Sequence, residues 1–179
     1  MNPPRYQPFY CEENVWWLAR DEARFGGRLR WGVFICNATR QCALWAQRLA
    51  RPGRPVLWDY HVVLAVGGAT CDVWDLDSRL GAPVPLSTWL AATFLPLAPG
   101  SEHLAPRFRV VEAGELVARF SSDRSHMRDA RGAFLQPPPP WPPPVLPGQG
   151  SNLARFLDPA DPIAGVVVGI EGLAAALAG

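Results

Sequence analysis

Residues 56–77 read VLWDYHVVLAVGGATCDVWDLD, two apolar runs rich in β-branched and aromatic residues on either side of Gly67-Gly68-Ala69. That pattern predicts a β-hairpin with a three-residue loop, one strand over 56–66 and its partner over 71–76. With the loop centred on Gly68, His61 faces Asp75, Asp59 faces Asp77, Val63 faces Val73 and Ala65 faces Cys71. Polar meets polar and apolar meets apolar. Strand side chains alternate, so all eight share one face, dry near the turn and charged at the far end; a slip of one residue would destroy the sorting. Opposed Cβ atoms lie about 4.5–5.5 Å apart, which puts the Asp75 carboxylate within reach of the His61 ring. A register change of two would bring Asp77 there instead.

Upstream of the hairpin, residues 10–16 read YCEENVW, and the run 14–25 places Val15, Leu18, Ala19 and Ala23 at helical spacing. Glu12 and Glu13 at its start and Gly26-Gly27 at its end bound a first helix, with Cys11 just before it. Residues 31–36 (WGVFIC) form a strand, and 42–49 (CALWAQRL) a short apolar run ambiguous between strand and helix turn. Downstream, 86–95 reads as a helix, 108–112 as a strand, 115–120 as a short helix or strand, and 163–178 as a strand running into an Ala-rich helix. The stretch 136–147 is mostly proline.

The chain has 179 residues, 49% of them hydrophobic, enough for one domain (1–179) with a substantial core. A net charge of +1, with acids and bases interspersed, supplies no basic stripe for nucleic acid or an anionic membrane. No window approaches the roughly 20 apolar residues of a membrane-crossing helix, and residues 1–9 lack a basic-then-apolar signal pattern, so the expectation is a soluble, cytoplasmic protein. Cys11, Cys36, Cys42 and Cys71 stand singly, without the tight CxxC pairing of a zinc or redox site, and read as reduced thiols. Neither metal nor organic cofactor is expected.

Thiol, imidazole and carboxylate thus occur in the order Cys11, His61, Asp75, which is the equipment of a cysteine hydrolase. Only the thiolate is a strong nucleophile, and a helix N-terminus or an adjacent imidazolium lowers a thiol pKa from about 8.5 to about 3.5–7.5. Glu12 and Glu13 would oppose ionisation, so their side chains are expected to point away from the sulfur, with His61 supplying the activation. A Cys at a helix start with His and Asp on adjacent strands is the arrangement of papain-like enzymes, and here it requires the first helix to pack on the His61 face of the hairpin.

Six segments carry a resemblance to a known family: YCEENVW (10–16), WDYHVVL (58–64), VWDLD (73–77), RFSSDRSHM (119–127), PPPPWP (137–142) and NLARFLDP (152–159). In this order they resemble the protein N-terminal glutamine amidohydrolases, nearly the whole chain being covered. The resemblance implies Cys11, His61 and Asp75 as the catalytic triad, and a monomeric α/β fold whose central, mostly antiparallel sheet is flanked by helices, related to transglutaminase and papain-like enzymes. It also implies substrates that are proteins or peptides with a free N-terminal glutamine, deamidated to glutamate through a thioester. Recognition of a chain terminus calls for an acid opposite the α-ammonium group; Glu12, Glu13, Asp59 and Asp123 are the candidates.

Two other readings remain open on the residues: a different papain-like thiol hydrolase or acyltransferase, and a non-enzymatic module whose polyproline stretch binds an SH3- or WW-type partner. For that stretch a rigid strap laid down by Trp141 fits a compact chain better. Residues 121–126 read as a loop fixed by Asp–Arg and Ser–backbone bonds in preference to a site wall, the eight tryptophans as core, and His103 as a solvated loop residue.

Overall fold

β1 (Arg30–Cys36) and β4 (His61–Val66) are almost wholly buried, as strands covered on both faces must be, and they pair antiparallel with Val33 opposite Val63. The computed structural model describes residues 2–67 and 70–178. On the far side of β1 lies β7 (Arg107–Glu112), then β8 (Val166–Val168); beyond β4 lie β5 (Asp72–Trp74) and β6 (Val84–Pro85). The order is β6-β5-β4-β1-β7-β8, every neighbour antiparallel. β2 (Cys42–Leu44) and β3 (Val56–Trp58) make a separate two-stranded sheet. Six α-helices surround these strands among the described residues: α1 (Cys11–Ala19), α2 (Glu22–Phe25), α3 (Leu86–Thr93), α4 (Ala113–Arg119), α5 (Leu153–Leu157) and α6 (Ile170–Ala176). The expected α/β class, with an antiparallel central sheet flanked by helices, is the observed one.

Alternation along the strands divides the core in two. Phe34, Val62, Leu64, Val66 and Val111 face α1, α4 and α5, where they meet Val15, Leu18, Leu116 and Phe156. Val33, Ile35, Val63, Ala65, Val73 and Val110 face α3 and α6, where they meet Trp89 and Leu173. The expected packing of the first helix is corrected by this: α1 covers the Val62 face, whereas His61 shares the face of Val63 and Ala65, which α3 occupies through Trp89.

The hairpin departs from expectation in two ways. Its first strand is two strands, because Asp59 Oδ1 accepts the Tyr60 N–H at 3.0 Å and turns the chain between β3 and β4. Ala65 pairs with Val73 and Val66 with Asp72, a register two residues removed from the one centred on Gly68. The turn residues Gly68 and Ala69 themselves lie outside the described residues. A shift of two preserves which face each side chain takes, so the sorting survives. Pairing of β4 with β5 stops at Leu64 and Trp74; past it the chain turns, Ser78 N–H donating to Asp75 O at 3.1 Å. The single expected first helix is also two helices, α2 ending on Gly26 in the left-handed region (φ 55°). The ambiguous stretches resolve as a short strand followed by turns at 42–49 and as the helix α4 at 113–119.

Three anchors hold the elements that carry the candidate groups. Glu13, fully buried, receives a two-pronged hydrogen bond from Arg124, Nε to Oε1 at 2.7 Å and Nη2 to Oε2 at 2.8 Å. Arg124 also donates to Trp141 O at 2.7 Å, which holds its backbone in the left-handed region (φ 64°). The prolines of the strap lack N–H groups, and it docks chiefly through its carbonyls, Gln136 O accepting from Tyr10, Pro137 O from Gln7 and Pro144 O from Ser122, with the Leu146 N–H donating to Ser121 Oγ at 3.1 Å. On the opposite side, buried Arg109 donates to four backbone carbonyls, those of Phe156, Asp158, Asp161 and Ala164, and so fixes the segment leaving α5. Breaking a buried, two-pronged ion pair by neutralising one partner leaves the other charge stranded. Glu13→Gln is therefore expected to lower unfolding stability by about 3–5 kcal/mol in urea titration; a loss below about 1 kcal/mol would contradict the anchoring role.

Candidate active site

Where β5 peels away from β4, a cleft of about 690 Å³ opens, with Cys11, Trp58, Asp59, Tyr60, Asp77 and His126 at one end and Met127, Leu135, Leu153, Ala154 and Leu157 as an apolar wall. Cys11 is the first residue of α1 and 8% exposed. Tyr10, at the N-cap, offers the helix no side-chain cap, so the first-turn amides are not claimed by it. Cys11 packs in one buried cluster with Val62 at the start of β4, which brings the chain beside His61 near the thiol.

His61 is 1% exposed, its ring stacked on Trp58 with centroids 5.4 Å apart. Its Nε2 is 2.9 Å from Asp75 Oδ1, while Nδ1 has no hydrogen-bond partner among the described residues. Asp75, also 1% exposed, fills its remaining acceptor capacity with the Asp77 N–H (3.2 Å), Gln47 Nε2 (2.9 Å) and Trp89 Nε1 (3.1 Å). Burial pushes the Asp75 carboxyl up, but His61 and the hydrogen bonds from Gln47 and Trp89 outweigh it and bring it below its ordinary value. Burial likewise pushes the His61 ring down, and the Asp75 charge and hydrogen bond reverse this, so the imidazolium persists above its ordinary value. The expected His–Asp pairing is thus met by a side chain folded back from a turn, although the strand register would have favoured Asp77. Asp77 accepts instead from the Tyr6 hydroxyl at 2.6 Å.

The thiol's surroundings correct the expectation of a readily ionised Cys11. Burial pushes it well above its ordinary value, and Glu12 and Asp77 add to the effect; the Val62 N–H opposes them and does not prevail. Glu12 does not point away: its Oε2 stands 3.8 Å from the sulfur and accepts from Tyr60 Oη at 3.0 Å. Its Oε1 lies 3.3 Å from His126 Nε2 without a well-formed hydrogen bond. His126 Nε2 is also 3.3 Å from Tyr60 Oη.

The four acids proposed for substrate binding separate. Glu13 is consumed by Arg124, and Asp123 caps its own turn through the Ser125 N–H at 2.9 Å, exposed and off the cleft lining. A helix turns about 100° per residue and so carries Glu13 away from Glu12, while Asp123 completes a local turn. Glu12 lies beneath the sulfur and Asp59 lines the cleft. The loop at 121–126 proves divided, Arg124 being structural while Ser125 and His126 line the cleft. Tyr60 has no role assigned from WDYH, and His126, read with 121–126 as part of a fixed loop, lines the cleft instead. Gln47 and Trp89 carry no sequence signal. Among the described residues no group of three or more His, Cys, Asp or Glu side chains is gathered as metal ligands would be, and no helix is long and apolar enough to cross a membrane.

The N-terminal glutamine amidase family model matches residues 6–176. Proteins named protein N-terminal glutamine amidohydrolase from Bos taurus and Homo sapiens are each 37% identical, over 155 and 151 residues; each match covers 79% of this chain and 72% and 73% of those proteins. The Arabidopsis thaliana protein of that name is 36% identical over 170 residues, 88% of this chain and 77% of its own length. A family match over almost all of the chain and relatives this similar place it by descent: the chain belongs to the N-terminal glutamine amidase family.

Proposed function

We propose that this protein hydrolyses the side-chain amide of an N-terminal glutamine, in proteins or peptides, to glutamate and ammonia through Cys11, His61 and Asp75. The observation that carries this reading is a cleft thiol at a helix start together with a histidine whose Nε2 is bound by a buried carboxylate, in a member of this family. Asp75 fixes the tautomer with the proton on Nε2, leaving Nδ1 as the base. His61 Nδ1 takes the Cys11 proton as the sulfur attacks the amide carbon, then delivers it to the departing nitrogen; ammonia leaves and a γ-thioester remains. Water, deprotonated by the now neutral ring, opens the thioester and restores the thiol. The oxyanion is held by the Cys11 backbone amide at the uncapped start of α1.

This reading differs from the papain-style resting ion pair, because the thiol is pushed up while the imidazole holds its proton above the ordinary value. Between those two titrations the reactive form is neutral thiol beside neutral imidazole. Activity must then rise with pH as His61 loses its proton.

Mass spectrometry of a peptide beginning with free glutamine, run beside its N-acetylated copy and an asparagine-initiated peptide, tests the activity directly. Conversion is expected for the free-glutamine peptide alone, and Cys11→Ala is expected to abolish it. Turnover of the acetylated copy would favour a broader thiol hydrolase, and no turnover of any peptide by folded protein would refute the reading. The orienting acid has its own signature: kcat/KM should rise with an apparent midpoint above 6.5, the ordinary histidine value. Asp75→Asn should lower kcat on the order of 10³–10⁴-fold. It should also move that midpoint down, since the charge that raises it is gone.

A further inference from the structure

Attack on the glutamine side chain restricts where the substrate's terminal cation can lie. Four bonds separate the amide carbon from the α-nitrogen, about 5 Å at full extension, so the ammonium group must sit close to the Cys11 sulfur. Three carboxylates bear on that sulfur, those of Glu12, Asp77 and Asp59. Asp77 is engaged by Tyr6, and Asp59 is exposed and holds its own turn. Glu12 is 1% exposed, its Oε1 has no hydrogen bond, and its neighbours Cys11, Tyr60 and His126 line the cleft, so the carboxylate lies one side chain behind the cleft wall. The remaining charged or titratable groups nearby are His61, bound to Asp75, Arg40 on the cleft lining, and Glu13, neutralised by Arg124. A buried carboxylate whose nearest cationic partner is the imidazole of His126, 3.3 Å away and not hydrogen-bonded to it, is costly unless a full positive charge arrives to meet it.

Resting on the hydrolase reading above, we propose that Glu12 is the counter-charge for the substrate's α-ammonium group and that, until this cation arrives, the same carboxylate holds the Cys11 sulfur as a thiol. Specificity and activation are then one event. An ammonium group on the cleft floor cancels the field of Glu12 at the sulfur, so a free chain terminus makes the nucleophile easier to ionise and an acetylated one does not.

The test joins thiol titration with turnover. Ultraviolet thiolate absorbance is followed against pH for wild type and Glu12→Gln, each referenced to its Cys11→Ser counterpart so that Cys11 alone is read. Wild type is titrated again with a saturating norleucine-initiated peptide, which has the chain length but no amide to lose, and with its N-acetyl copy. Glu12→Gln is expected to raise the acid dissociation constant of Cys11 at least about tenfold, and the free-amine peptide to do the same in wild type while the acetylated copy does not. In turnover, the preference for free over N-acetylated glutamine peptide is expected to fall at least about a hundredfold in Glu12→Gln and to survive in Asp59→Asn. A wild-type thiol that ignores the free-amine peptide overturns the proposal whether or not Glu12→Gln folds, and so does a preference retained in Glu12→Gln but lost in Asp59→Asn. A wild type silent on the glutamine peptide is a separate result: it removes the hydrolase reading, and this inference with it.

Discussion

A carboxylate removed from water at Asp75 is the constraint around which the sheet end, the nearby loops and the candidate site are arranged. An ionised buried acid is tolerable only when its acceptor sites are filled, and Asp75 fills them from four parts of the chain: the start of β4, its own turn, the loop after β2 and helix α3. Those donors, His61, the Asp77 amide, Gln47 and Trp89, are thereby fixed relative to one another. The same bonds bear on proton chemistry, because the carboxylate engages Nε2 of His61 and leaves Nδ1 as the ring nitrogen without a hydrogen-bond partner among the described residues. Packing and proton chemistry are here a single requirement.

The thiol is governed by the opposite condition. The start of α1 and the Val62 N–H favour a negative sulfur, yet burial with Glu12 and Asp77 outweighs both. A resting thiol resists oxidation and adventitious alkylation, reactions that follow thiolate character and exposure. On the hydrolase reading proposed above, the nucleophile would be generated during each turnover, which places the burden on His61 and on whatever the substrate brings with it.

The sequence made much of the fold legible, and the reason is periodicity. β1, β4 and β7 announce themselves as continuous β-branched and aromatic runs, and the hairpin's alternation assigns His61 and Asp75 to a shared face. That assignment withstood a two-residue error in register because strand side chains repeat every two residues. The break at Asp59 was hidden, since one side-chain to backbone bond, with no change in hydrophobicity, separates β3 from β4. The face on which α1 packs was hidden too, because both faces of β4 are equally apolar and the choice is made by Trp89 and the elements beyond it. Gln47 and Trp89 act through tertiary contacts with Asp75 that no local pattern encodes.

Glu12 and Glu13 show how a short motif can hold two opposed uses of the same chemical group. Adjacent on α1, they diverge by about 100° around the helix axis, and each is removed from water. Glu13 meets a guanidinium in two-pronged geometry and, with the proline-rich strap, fixes the first turn of the helix on which Cys11 sits. Glu12 meets a tyrosine hydroxyl, a sulfur and the Nε2 edge of His126, which is itself paired with Tyr60 Oη, and one of its oxygens is left without a hydrogen bond. An incompletely satisfied buried anion destabilises the fold where it stands, and such strain persists at sites that bind or react because the surrounding structure over-determines it. The Glu13–Arg124 pair, one residue along, is the rigid contact that lets α1 hold Glu12 in that position: the carboxylate that stabilises the helix start offsets the cost of the one left incompletely bonded behind the cleft-lining side chains.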